Sequence, residues 1–209
     1  MITVWGGGTS RSLRVTWLME EMGLAYRLRY VDLINNPDEP AFRAVNPAGY
    51  IPVMQDGDVT MVESVAITEY LLARYGPTPL APAPDSAAFP AYQQFLHLGE
   101  AGLAMAAYVV IGARYFAPES DRRSWSARQA QDQWDSRMRL VTRQLERAPY
   151  MAGEAFTAAD ISVTYALMLG TKHAGMALGA LAQAYMHRTT GREACRRAVA
   201  TSEAALAQA

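Results

Sequence analysis

The sequence predicts a small mixed α/β domain followed by an all-helical one. Three observations lead there. Short β-prone runs occur only ahead of residue 63. A proline-rich stretch, GPTPLAPAPD at 76–85, forbids a continuous helix and favours an extended linker. Beyond it lie alanine-rich helical patterns and no strand candidate of any strength. The expected boundaries are 1–76 for the α/β domain, 77–87 for the linker and 88–209 for the helical domain.

The first domain reads element by element. Ile2 to Trp5 is a β-prone run, and Tyr26, Leu28 and Tyr30 alternate with Arg27 and Arg29 as a half-buried strand does. Between them Leu13, Trp17, Leu18 and Met22 keep helical spacing, with Gly23 at the C-terminal cap position. Val53 to Gln55 and Thr60 to Val62 flank Asp56-Gly57-Asp58 as a hairpin, since Asp and Gly tolerate the positive φ of tight turns. Val65 to Tyr75 closes the domain as a helix. The order is strand, helix, strand, loop or short helix, strand, strand, helix.

In the second domain Trp134, Met138, Val141 and Leu145 share one helix face. At FTAADI, 156–161, Thr157 can cap a first turn, Asp160 can reach back to the cap amide, and Phe156 can pack on Ile161 as a hydrophobic staple. A helix starts there.

Composition narrows the function classes. Nineteen basic and 20 acidic residues leave a formal charge of −1, which gives no electrostatic case for nucleic acid. The single cysteine, Cys195, excludes an internal disulfide and any C-x-x-C pair; it fits a reducing, cytoplasmic setting and reads as buried packing. No basic stretch followed by an apolar run reads as a signal peptide. The longest apolar run, Ala101 to Ala113, falls short of the ~20 residues a bilayer requires, so a buried helix and no membrane partner are expected. His97, His173 and His187 show no metal-ligand spacing, and no metal is expected.

Four motifs together carry a resemblance: GGTSRSLRVTWLMEEMGL (7–24), VNPAGYIPVMQDGDVTMVESVAITEYLLARYG (45–76), FLHLGEAGLA (95–104) and FTAADIS (156–162). In this order, across a proline-rich linker, they resemble the cytosolic glutathione transferase family, in the bacterial branch that carries Ser-Arg in its glycine loop. The resemblance implies an N-terminal thioredoxin-like domain, an all-helical C-terminal domain, glutathione as co-substrate and a homodimer.

It also assigns candidate residues. A cis Ile51-Pro52 bond would let Ile51 offer its backbone to the cysteinyl unit of glutathione, as a two-bond form of strand addition; by itself Pro52 reads equally as the start of an edge strand. Glu63 and Ser64 stand where a strand enters a helix. There the hydroxyl and first-turn amides suit the γ-glutamyl carboxylate, and Glu63 can balance its ammonium; an ordinary N-cap is the other reading. Conjugation needs a thiolate, and a free thiol has a pKa of ~8.5, so the site must favour the anion. Ser10, or Thr9 one residue earlier, is the candidate hydroxyl donor where the loop Gly6 to Gly8 meets the first helix, with Ser12 nearby and Arg11 adding positive potential; a helix cap is the rival role. Met105, Tyr108 and Tyr115 are candidates for the second-substrate pocket, or else plain helix core.

Tyr50 departs from the family pattern, standing where a Lys, Arg or Gln commonly meets the glycine carboxylate of glutathione; Gly191-Arg192-Glu193 and the short, glycine-punctuated segment 170–185 depart as well. The expected activity is conjugation of glutathione to a small hydrophobic electrophile. A family member that has lost catalysis and serves as a binding or regulatory module is the alternative. A glutathione-dependent reductase or peroxidase is a third reading, against which stands the absence of a cysteine from the glycine loop.

Overall fold

The computed structural model describes residues 1–208; Ala209, the end of the alanine-rich tail, lies outside them. By contacts the chain divides into two compact units: Met1–Thr78 together with the segment from Gly191 onward, and Pro79–Thr190.

The first unit is a thioredoxin-like sheet with helices. Strand β1 (Ile2–Gly6) pairs in parallel with β2 (Tyr26–Tyr30) and antiparallel with β3 (Val53–Asp56), which pairs antiparallel with β4 (Val59–Val62), for an order β2-β1-β3-β4. The parallel pair is made possible by a crossover helix, α1 (Ser12–Met22). In β2 the expected alternation holds: Tyr26, Leu28 and Tyr30 are half-buried, Arg27 and Arg29 exposed. β3 and β4 turn through Gly57-Asp58, with Gly57 at φ 58° as a tight hairpin requires. α2 (Pro40–Val45) brings Phe42 onto a cluster of Trp5, Val31 and Val53, with ring centroids of Trp5 and Phe42 6.0 Å apart. α1 packs against β1 and against α3 (Ser64–Tyr75).

Eight successive residues of α1, Ser12 to Met19, are buried, which an amphipathic helix with one buried face would not show. The reason is α9 (Glu193–Ala207), which packs along α1 and β2. Arg192 makes a two-pronged ion pair with Glu21, Nε to Oε1 at 2.6 Å and a terminal nitrogen to Oε2 at 2.7 Å, and Trp17 donates its indole N–H to the same carboxylate at 2.9 Å. Arg197 donates to Glu20 at 2.7 Å. The last helix therefore sits in the first unit by contact, whereas the sequence suggested one helical domain over 88–209.

The second unit holds α4 (Phe89–His97), α5 (Met105–Tyr115), α6 (Trp125–Leu145), α7 (Ala158–Leu169) and α8 (Ala180–Thr190). α4 and α5 join without a break through a π-helical segment, Leu98–Ala104. Ser162 of α7 donates to the Leu96 carbonyl at 2.7 Å there, and a Cβ on Gly99 would lie 2.3 Å from the Ser162 hydroxyl. The resulting continuous helix, Phe89–Tyr115, is long and apolar enough to cross a bilayer by length and composition alone. The helix is longer than the apolar run Ala101 to Ala113 because Gln93, Gln94, His97 and Glu100 interrupt that run without ending the helix. In the fold it packs on α6 and α7.

On α6, Trp134 and Val141 are fully buried, Met138 and Leu145 half-buried. At the start of α7 the capping box forms as expected, Thr157 N–H donating to Asp160 Oδ2 at 2.8 Å. Asp160 also accepts from Met151 N–H at 2.8 Å and from the Tyr185 hydroxyl at 2.9 Å. Burial pushes its carboxyl up to about 6 while these bonds pull the other way. The linker is anchored where Leu80, itself buried, accepts the Ala158 N–H through its carbonyl at 2.9 Å.

Candidate active site

The glycine loop leaves β1 and turns into α1 within a few residues. Gly7 and Gly8 have φ of 130° and 58°, values open to glycine at little steric cost. The loop is also tightly enclosed: a Cβ on Gly6 would lie 2.4 Å from that of Ser12, and one on Gly7 would lie 2.6 Å from the Tyr30 ring. Here three polar groups line up. Gly7 N–H donates to the Ser12 hydroxyl at 2.8 Å, and the Ser12 and Ser10 hydroxyls lie 2.7 Å apart, with either able to donate. Ser12 is buried, Ser10 half-buried and Thr9 exposed. Ser10 also starts the helix through its carbonyl, which accepts the Leu13 N–H at 3.0 Å. Arg11, half-buried, occupies the N-cap position without a side-chain capping bond.

Ile51-Pro52 is cis, as the resemblance implied. Ile51 is half-buried, Pro52 buried, and the ladder between β3 and its neighbours begins only at Val53, so Ile51 lies beyond the paired register. The preceding turn is held by Asn46, a buried side chain that donates to the Tyr50 carbonyl at 2.7 Å and accepts from Ala48 N–H at 3.1 Å.

Glu63 has φ 68° and ψ 105°, in the left-handed half of backbone space, and is exposed. Such a conformation costs a non-glycine residue about 1–3 kcal/mol, which marks positions where geometry outranks local stability. It aims the chain so that Ser64, buried, becomes the first residue of α3 and Glu63 the cap position, which corrects the reading of Ser64 as N-cap. Arg14, 1% exposed, reaches from α1 to donate to the Ser64 hydroxyl at 3.3 Å. Tyr50 donates its hydroxyl to Glu63 Oε1 at 3.3 Å; partial burial and that carboxylate raise the Tyr50 hydroxyl above its ordinary pKa. Thus one unit carries Thr9, Ser10, Arg11, Tyr50, Ile51, Pro52, Glu63 and Ser64, with direct contacts joining α1 to Ser64 and Tyr50 to Glu63.

Met105, Tyr108 and Tyr115 belong to the second unit. They are 44%, 56% and 56% exposed, so the helix-core reading fails for all three: their spacing places them on the side of α5 turned from the bundle. Among the described residues no group of three His, Cys, Asp or Glu gathers as a metal site. Cys195 is buried, and burial with the nearby Glu21 carboxylate pushes its thiol up to about 11.

Two residues that sequence reasoning passed over hold this site together. Arg14 stands three and four positions before Trp17 and Leu18, a spacing that puts a charge on the buried face and is legible as a signal. Asn46 opens the NPAG turn, but nothing in the sequence showed that its amide would hold the Tyr50 carbonyl.

A profile of the glutathione S-transferase N-terminal domain matches residues 10–74. Glutathione S-transferase PM239X14 of Arabidopsis thaliana is 32% identical over 155 residues, 71% of this chain and 71% of that protein. Glutathione S-transferase 3 of Schizosaccharomyces pombe is 35% identical over 94 residues, 45% of this chain and 39% of that one. Several such relatives are matched over only about a third to two-fifths of their own length. A solved structure of the theta class glutathione S-transferase from Xanthomonas axonopodis pv. citri, with glutathione bound, is 28% identical, with a TM-score of 0.79 over 95% of this chain and 96% of that chain. Identity of 32% across 71% of a glutathione S-transferase, on this fold, means that the chain belongs to the glutathione S-transferase family.

Proposed function

We propose that the protein is a glutathione transferase that holds glutathione as its thiolate and delivers the sulfur to a small hydrophobic electrophile. The observation that carries this reading is the run of hydrogen bonds from Gly7 N–H through Ser12 to Ser10. Because Gly7 N–H occupies one lone pair of Ser12, the Ser12 hydroxyl is free to donate to Ser10. The proton of Ser10 then points outward for a sulfur anion, and each bond in the chain polarises the next. The amides of the first turn of α1 add positive potential. The hydroxyl is a donor and not a nucleophile: the thiol proton passes to water, the sulfur forms the new bond, and the electrophile loses its leaving group or gains a proton from water.

In this reading Ile51, beyond Pro52, pairs with the cysteinyl backbone, and Ser64 takes the γ-glutamyl carboxylate beside the Arg14 guanidinium. Glu63 balances the glutathione ammonium. Thr9 is the alternative donor, Arg11 a source of potential, and Tyr50 a contact to the peptide tail. The exposed apolar side of α5 with Met105, Tyr108 and Tyr115 is assigned to the electrophile. Detoxification, a cytoplasmic location and a homodimer belong to the same proposal.

A second reading is a binding module without turnover. It is favoured by Tyr50, whose hydroxyl engages Glu63 and so occupies a carboxylate that glutathione would use. Retention on immobilised glutathione, followed by conjugation to a chloronitrobenzene acceptor, separates the two. Ser10→Ala is expected to lower kcat about 10–100-fold, the value of a hydrogen bond to a charged group, while Thr9→Ala changes it less than about twofold. Retention without turnover, unchanged by Ser10→Ala, supports the second reading.

A further inference from the structure

The C-terminal helix reaches the glycine loop through Ser202. Ser202, on α9 and 4% exposed, donates its hydroxyl to the carbonyl of Gly8 at 2.9 Å. Gly8 is two residues ahead of Ser10, in the segment with the greatest backbone freedom in the site. A trans peptide points its C=O and N–H in opposite directions, so fixing the Gly8 carbonyl toward α9 turns the Thr9 N–H away from that helix and sets where the chain enters Ser10.

The same helix is tied to α1 at the other end. Arg192 and Arg197 pair with Glu21 and Glu20, at the C-terminal end of α1, and Ser202 meets the loop at its N-terminal end. α9 therefore runs antiparallel to α1. The ten residues from Arg192 to Ser202 span roughly 15 Å of helix, close to the length from the glycine loop to Glu21 along α1. One helix thus spans the frame on which the loop is mounted.

We infer that Ser202 is a positioning residue for the thiolate site: its bond to the Gly8 carbonyl holds the glycine loop in the one arrangement that lines up Gly7, Ser12 and Ser10. This rests on the thiol-transfer reading above. Ser202 touches neither sulfur nor electrophile and acts only through the loop. Two positive-φ glycines in succession would otherwise sample several arrangements, and only a fraction of them would present the Ser10 proton.

The test uses the full-length protein and its Ser202→Ala, Ser202→Thr and Ser202→Val variants, each first checked for cooperative unfolding. Glutathione is bound and its thiol titrated by the ultraviolet absorbance of the thiolate. One neutral hydrogen bond corresponds to roughly a fivefold change in an equilibrium, so Ser202→Ala is expected to raise the bound thiol pKa by ~0.5–0.7 unit. It should lower kcat at neutral pH by ~3–5-fold, with recovery at higher pH, and leave KM for glutathione within about twofold, since Ile51, Glu63 and Ser64 are untouched. Ser202→Thr, which keeps the hydroxyl, should restore both values, and the equally branched Ser202→Val should not. A bound thiol pKa and pH profile unchanged in both Ser202→Ala and Ser202→Val overturn the proposal.

Amide hydrogen exchange over residues 7–10 judges the clamp without glutathione. Ser202→Ala should accelerate exchange there ~5-fold. Unaltered exchange overturns the clamp even if activity falls. Wild-type protein that holds no thiolate overturns the thiol-transfer reading, and with it the catalytic role of Ser202, while the exchange result still decides the structural half.

Discussion

At the scale of single residues, the site is built where local preference is overridden. Glu63 is the only described non-glycine residue at positive φ. No hydrogen bond from its own side chain to the helix it caps offsets that conformation. Glu63→Gly removes strain of about 1–3 kcal/mol and adds about 1 kcal/mol of unfolded-chain entropy, so stability in urea is expected to rise by about 1 kcal/mol. Retention on immobilised glutathione should fall at the same time. A loss of stability would show that the backbone at 63 is held without strain. Ser12 teaches a related lesson. Its buried hydroxyl is what links Gly7 to Ser10, yet from sequence it was one of three neighbouring hydroxyls with nothing to rank it.

At the scale of elements, two helices differ in what secures them. α7 is held at its first turn, where Asp160 accepts from two buried backbone amides and from Tyr185 of α8. Asp160→Ala leaves the two buried amides without their acceptor and is expected to cost about 3 kcal/mol or more, read as a lower midpoint in denaturant. α9 is secured along its length, and Cys195 lies on its buried side. With the thiol raised to about 11 in the fold, against an ordinary value of 9.0, the native state keeps its proton while the unfolded chain loses it. Its contribution to stability is thus full below about pH 9 and lost as pH rises through 11. Wild-type protein should therefore lose stability relative to Cys195→Ala over that window, and at pH 8 a thiol reagent should label Cys195 only on unfolding. Prompt labelling of folded protein at pH 8 would contradict the burial.

At the scale of the whole molecule, the chain's last segment belongs to its first unit. Glu21 is only 7% exposed in its side chain, and Arg192 supplies both of its ion-pair contacts. Arg192→Ala is expected to cost about 2 kcal/mol, because a nearly buried carboxylate is left with Trp17 as its remaining donor. A chain ending at Thr190 would expose one side of α1 and should bind a hydrophobic dye and lose cooperative unfolding. A truncated protein that unfolds as sharply as the full chain would show that α9 is an accessory.

Element order, the hairpin at Gly57, the capped start of α7 and the segments that carry the site are all local matters. Periodicity, turn chemistry and capping depend on residues a few positions apart, so they were legible in the sequence. Ser10, Ile51, Glu63 and Ser64 were named as candidates through the resemblance, and each stands at the junction of two elements. What the sequence could not order was the contacts made across 50 residues or more: Arg14 on Ser64, Arg192 on Glu21, and Ser202 on Gly8. A helix pattern states which face is apolar and not what will cover it. Only the tertiary structure decided that α9 returns to α1, because that choice rests on burial and ion pairing between segments more than 170 residues apart.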